Sequence, residues 1–339
     1  MRHLVGILVV ASVWACGDSP PAGSADGAIG IDATASGPDG SSQETFDCST
    51  VPASVTGPTV IPGPVGHDGL VINAAGQMVG SNDQLLVQSN RNGDDVSAYS
   101  GNVGEGHQMD MLPGGVDIVM STMDTDGALT RITPAGSIQV ILSSANAYSV
   151  VVGPDEWIWY ARNSEQFSST LIRRVHPTTG ESETMISSGT SGTARSIEFS
   201  PDGTRLYIGT AGAAGAVHYT DLAADMTPGP IKTLTTGIGD GESWMDAIGV
   251  DACGNLYIYD AISTALWRVT PTGDKTKLHS ANGFEQYPHA IVWGTGRHGW
   301  NAHAIYSPRP YGGNQVVEFV VGAPSRDFGG TVINKPARK

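Results

Sequence analysis

The sequence predicts an all-β protein, on three observations. Apolar runs are short, alternate with polar or small residues, and are bounded by Gly, Pro, Asp and Ser. Glycine is abundant at 45 of 339 residues, and only 15% of residues are charged. No long stretch after the first fifteen residues has the periodicity of a helix. A chain of this length can bury a large core. Its net charge of −15 argues against a nucleic-acid partner, because phosphate binding needs basic surface.

The N-terminus reads as an address. Met1-Arg2-His3 is a short basic start, and Leu4 to Ala15 is a small and apolar run too short to span a bilayer. The run ends in VWAC. This resembles a bacterial lipobox, with Trp14 in place of the usual small residue, and implies that Cys16 is lipidated. An ordinary secretory signal containing a chance cysteine is the alternative. Gly17 to Asp47 holds Gly, Ser, Ala, Pro and Asp with almost nothing to bury, so it predicts a disordered tether with a reach of roughly 30 Å. The expected organisation is a signal peptide over 1–15, a lipidated Cys16 and tether over 16–56, a globular domain over 57–326 and a tail over 327–339. The expected location is the bacterial cell envelope, attached to the membrane through the lipid. Gly17 gives no inner-membrane retention signal, which points to the outer membrane, on its periplasmic or surface side.

The globular part is repetitive. Residues 246–260, DAIGVDACGNLYIYD, place a polar residue before an alternating strand, a turn and a second strand. The same grammar starts at Asp68, His107, Tyr148, Arg195 and His289. ALWRVTPTGDKTKL, LTRITPAGSIQVIL and LIRRVHPTTGESETMI then supply two further strands around a turn. Four strands every forty to fifty residues, six times over, predict a six-bladed β-propeller of four-stranded antiparallel blades. The sixth copy runs out of chain after its third strand, QVVEFVVG. Thr59 to Ile61 is expected to supply the fourth and close the last blade, leaving no open edge.

Two cysteines remain once Cys16 is acylated. Cys253 sits in the turn between the first two strands of the fifth repeat, and Cys48 lies just upstream of the closing strand. In an exported protein these are expected to form a disulfide. The run GTGRHG at 294–299 fits a dinucleotide-binding fingerprint, but a strand pattern follows where a helix is needed, so it predicts a turn.

FSPDGTRLYIG (199–209), VDACGNLYIYD (250–260) and the closing VWGTGRHGW…VEFVVGAPSR together resemble the gluconolactonase and senescence-marker-protein (regucalcin) family, close to NHL-type propellers. The resemblance spans about residues 57–326. It implies a divalent metal at the centre of one face, held by Glu, Asn and Asp side chains at the starts of the innermost strands. Asp246 matches the Asp position. Asp68 stands at the Glu position, and Tyr148 and Arg195 stand where asparagines are expected. An arginine there competes with a cation by charge.

Two readings of the six anchors stay open. In one, His107 and His289 with Asp68 or Asp246 hold zinc or calcium, and Tyr148 and Arg195 act on a small-molecule substrate, as in NHL-type lyases. The protein would then be a metal-dependent lactonase, other hydrolase or lyase. In the other, Arg195 pairs with Asp68 or Asp246 and fills the channel. The protein would then be a propeller that binds a small molecule or a protein partner.

Overall fold

The computed structural model describes residues 46–326, apart from 62–67, 74, 83–84, 95–96, 104–105, 123–126, 163–169, 240, 281–288 and 310–314. The signal segment, Cys16, most of the tether and the tail over 327–339 lie outside the described residues. What is described is strand, turn and one short 3-10 turn, Cys48–Thr50. Among the described residues no helix is long and apolar enough to cross a membrane.

Strand β1 (Thr56–Ile61) is followed by quartets in chain order. The first is β2 (Leu70–Ile72), β3 (Met78–Asn82), β4 (Leu85–Ser89) and β5 (Ser97–Asn102). The second is β6 (Gly106–Met111), β7 (Ile118–Thr122), β8 (Leu129–Ile132) and β9 (Ile138–Leu142). The third is β10 (Ala147–Val152), β11 (Ile158–Arg162), β12 (Ile172–Val175) and β13 (Ser182–Ile186). The fourth is β14 (Thr193–Phe199), β15 (Arg205–Gly212), β16 (Val217–Asp221) and β17 (Lys232–Thr235). The fifth is β18 (Ser243–Val250), β19 (Leu256–Asp260), β20 (Ala265–Val269) and β21 (Lys275–Ser280). The last strands are β22 (Val292–Trp293), β23 (Ala304–Arg309) and β24 (Gln315–Val320).

Each quartet is an antiparallel meander. The fourth and fifth are joined into one eight-stranded sheet where Ala211 and Gly212 of β15 pair with Trp244 and Ser243 of β18. The last three strands form a sheet with β1, in the order β1-β24-β23-β22. Thr59, Val60 and Ile61 stand opposite Glu318, Val317 and Val316. The residues expected to complete the last blade are therefore hydrogen-bonded to its third strand.

Strands such as β7, β10 and β19 are buried along their whole length, so apolar side chains lie on both faces and each sheet must be covered twice. Packing between neighbouring sheets does this. Trp159 and Ala161 of the third sheet meet Ile197, Phe199 and Leu206 of the fourth in one buried cluster. Trp159 is fully buried, and its ring meets Phe199 edge to face at 5.5 Å. Ile61, Leu70 and Met78 share a cluster with Ala290, Trp300 and Tyr306, which packs the last sheet on the first. Arg91, after β4, reaches Glu318 of β24 at 2.8 Å across the same junction. The outermost strands face solvent; β9 exposes Ile138 and Val140.

Turns follow their residue chemistry. Gly254 has φ 79° in the turn between β18 and β19, a left-handed conformation that glycine adopts without cost. Glu156 occupies the corresponding place between β10 and β11 with φ 64°, at a cost of roughly 1 kcal/mol relative to glycine. The GTGRHG segment is a bend and turn, with no helix after it.

Cys48 and Cys253 form a disulfide with Cα atoms 5.6 Å apart. It ties the segment before β1 to the turn after β18 across 205 residues of sequence. Closing so long a loop in the unfolded chain stabilises the fold by on the order of 3–5 kcal/mol. Cys48→Ser is expected to lower the melting temperature by roughly 10 °C. Cys253→Ser is expected to cost the same amount, and the double variant no more than either. Calorimetry of the three proteins checks this; additive losses would show that the two sulfurs act separately.

Candidate functional site

The six anchors lie at the beginnings of the inner strands. Asp68 lies two residues before β2 and His289 three residues before β22. The other four sit at irregularities in strand pairing. The register slips between Gly106 and Met109, Ala147 and Ser149, Ala194 and Ser196, and Met245 and Ala247. His107, Tyr148, Arg195 and Asp246 fall within those slips. A bulge adds an unpaired residue and re-aims its side chain. Here it releases the polar residue from the in-out alternation, and the strand resumes its apolar pattern just beyond. Residues of β2, β6, β10, β14, β18 and β22, together with His289, line one cavity of about 90 Å³.

The structure brings all six side chains together. Arg195 donates from Nε to Asp246 Oδ1 at 2.7 Å, and its Nη2 lies 2.6 Å from the same oxygen. Nη2 also bonds the Tyr148 hydroxyl. The guanidinium carbon is 3.5 Å from the centre of the Tyr148 ring and 5.1 Å from that of Trp244, so the cation is held by π faces as well as by charge. On the other side, His289 Nδ1 lies 2.9 Å from Asp68 Oδ1. Its Nε2 is 3.6 Å from Asp246 Oδ2, a buried oxygen that makes no hydrogen bond among the described residues. His107 bonds the Tyr148 carbonyl through Nδ1 at 2.7 Å, and its ring lies 4.6 Å from that of His289.

Sequence reasoning missed Gln108. Its Nε2 donates to the Asp246 carbonyl at 2.7 Å, and its Oε1 accepts from the Val150 amide at 3.4 Å. That ties β6 to β18 and β10. The available signal was a second polar residue directly after an anchor, in GHQMDM, where a simple alternation would place an apolar one. Trp244, the second π face on Arg195, carried no such signal.

Burial and neighbouring charges set the protonation of the ring. Burial lowers the His107 pKa to about 3, with the charge of His289 adding to the effect and Asp68 opposing it. His107 is therefore a neutral imidazole whose Nδ1–H donates to the Tyr148 carbonyl. For His289, burial also disfavours the cation, but pairing with Asp68 and the charges of Asp246 and Asp68 outweigh it and raise the pKa. Burial and the nearby Asp246 raise the Tyr148 phenol well above its ordinary value, against the pull of Arg195. Tyr148 stays protonated.

A divalent metal does not fit these residues as they stand. Its most direct ligand, Asp246, already has an arginine cation on one oxygen, and Asp68 is paired with His289. The two imidazoles are tilted by 33° and packed on one another. Among the described residues, no group of three or more His, Cys, Asp and Glu side chains is placed to hold a metal ion. Arg195 is spent on Asp246, so it is not free to clamp an anion. Asp246 Oδ2 faces His289 Nε2 instead.

Comparison with protein-family models finds no match, and comparison with curated proteins finds none either. Solved structures do match. The calcium-binding protein regucalcin from Agrobacterium tumefaciens superposes with a TM-score of 0.60 at 16% identity, covering 78% of this chain and 94% of that one. A gluconolactonase from Xanthomonas campestris gives 0.61 at 13% identity, over 78% and 88% of the two chains. An auxiliary nutrient binding protein from Bacteroides thetaiotaomicron gives 0.59 at 12% identity, over 81% and 74%. At these identities the likeness establishes the fold alone, a β-propeller.

The His107 shift predicts a pH dependence. Its pKa is depressed in the folded state relative to the 6.5 of an ordinary histidine, so unfolding takes up a proton between those values. The associated stability is present above pH 6.5 and lost as pH falls towards about 3, up to on the order of 4 kcal/mol. His289 acts in the opposite sense: its contribution is present below pH 6.5 and fades as pH rises through its raised folded value. Urea unfolding of wild type and His107→Gln from pH 7.5 to 4 should give a stability difference that shrinks with acid. A difference independent of pH would mean that His107 is not held neutral.

Proposed function

We propose that this chain is an extracytoplasmic six-bladed propeller, closed by its N-terminal strand and anchored through a lipid on Cys16. It binds a small ligand or a protein partner at a central mouth that has departed from the gluconolactonase type. One observation carries this reading: Arg195 Nη2 lies 2.6 Å from Asp246 Oδ1. Where the family resemblance implies a metal on this aspartate, the chain supplies its own cation on a neighbouring inner strand. An internal ion pair satisfies the charge without a metal, and the metal-dependent hydrolase or lyase reading loses its ligand set. The nutrient-binding propeller among the structural neighbours is in keeping with a binding role, and the lipobox-like VWAC with an envelope location.

Metal measurements test the central claim. Wild-type protein is expected to purify without stoichiometric calcium or zinc, and millimolar Ca²⁺ should leave its melting temperature unchanged. Arg195→Gln leaves a buried carboxylate without its cation and is expected to cost roughly 3–5 kcal/mol. Part of that loss should return on adding Ca²⁺ to the variant. One equivalent of tightly bound metal in the wild type, by elemental analysis, would overturn the reading.

Anchoring is tested separately. In detergent phase separation of bacterial extracts, the wild type should enter the detergent phase and Cys16→Ala the aqueous phase. Equal partitioning of the two into detergent would remove the lipid anchor.

A further inference from the structure

Away from the central mouth, a serine and a histidine meet on the fourth sheet. His218 lies on β16 and is 3% exposed. Ser191 is exposed, in the loop that leads into β14, four residues before Arg195. The Ser191 hydroxyl is 3.0 Å from His218 Nε2, and the Ser191 amide also donates to Nε2 at 3.1 Å. On the far side of the ring, Nδ1 is 3.3 Å from the Thr233 hydroxyl.

The amide contact fixes the tautomer. A backbone N–H can only donate, so Nε2 must carry a lone pair and the proton must sit on Nδ1, facing Thr233. The imidazole therefore presents its basic nitrogen to the Ser191 hydroxyl. Burial lowers the His218 pKa, so the ring is unprotonated at neutral pH. The loop is rigidly placed. Gly189 and Gly192 bracket Ser191 with φ of 114° and 102°, values that side chains rarely adopt. A Cβ on Gly192 would come within 2.2 Å of the Ala211 carbonyl, so the backbone there lies directly on β15. The Thr190 hydroxyl closes the turn on the Gly192 carbonyl at 2.7 Å.

From this geometry we infer that Ser191 is an activated nucleophile, with His218 as its general base and Thr233 as a positioning residue, open to acylation or phosphorylation by reactive esters. In the step proposed, Ser191 Oγ forms a bond to the acyl carbon and its proton passes to His218 Nε2. The ester C–O bond breaks, and the departing alcohol leaves with that proton. The products are O-acyl-Ser191 and the alcohol, with His218 returned to its neutral form. No redox partner or metal is involved, so the inference does not depend on the reading of the central mouth.

A fluorophosphonate probe and p-nitrophenyl acetate test it on the full chain, with peptide mapping by mass spectrometry. Ser191 should be modified about 100-fold faster than the exposed Ser188 nearby. The rate should rise with pH through a single transition below 6.5, and Ser191→Ala should abolish the label while leaving the melting temperature unchanged. His218→Gln should remove the advantage over Ser188. If that buried substitution prevents folding, Thr233→Val, which leaves the base in place but frees its orientation, should still reduce the rate by about tenfold. Modification of Ser191 no faster than Ser188, or a rate without the pH transition, would overturn the inference.

Discussion

A four-stranded sheet that is apolar on both faces cannot be stable alone, and the rest of this protein follows from that constraint. Each sheet must lie between two others. Tyr257 and Leu266 of the fifth sheet share a cluster with Ile305 and Phe319 of the last, as Leu70 and Met78 of the first do with Ala304 and Tyr306 of the last. No sheet in such an arrangement can be removed without exposing two neighbours. Supplying β1 from the N-terminal side of the domain makes the last sheet a product of both chain ends. The disulfide then fixes the approach to β1 against the turn after β18. Beyond β24 the chain does the same: Ser325 bridges to Asp251 and Arg326 reaches Glu198 at 2.7 Å.

The same packing concentrates polar groups where the inner strands begin. Neighbouring sheets cover the faces of these strands, so water is excluded and charges need partners within the ring. Charge pairing is then strong and an unpaired group is costly. The outcome is two linked pairs, Arg195 with Asp246 and His289 with Asp68, with neutral His107 and Tyr148 packed between them. The two histidines illustrate the competition. They lie in similar burial, yet only His289 has a carboxylate on it, and their pKa values move in opposite directions.

Much of the fold was legible because strand period, turn residues and repeat spacing are local signals. DAIGVDACGNLYIYD announces its hairpin, and its recurrence announces the architecture. Even β1 could be placed, since a missing fourth strand in the last repeat has to come from elsewhere. The positions of the six anchors were legible for the same reason, as each interrupts an alternating pattern. Gln108, Trp244 and the Ser191–His218 contact were not, because those residues look like ordinary members of their strands or loops.

The sequence by itself determined which residues form strands, where each repeat begins and which polar residues open the inner strands. Only the tertiary structure decided how those six divide among themselves. Both aspartates were open to Arg195, and both histidines were open to either aspartate or a metal. Choosing among them depends on distances of a few tenths of an ångström between strands more than forty residues apart, set by bulges and by the packing of whole sheets. No local pattern encodes such distances, so the substitution of a guanidinium for a metal could be stated as one alternative from sequence and identified only in three dimensions.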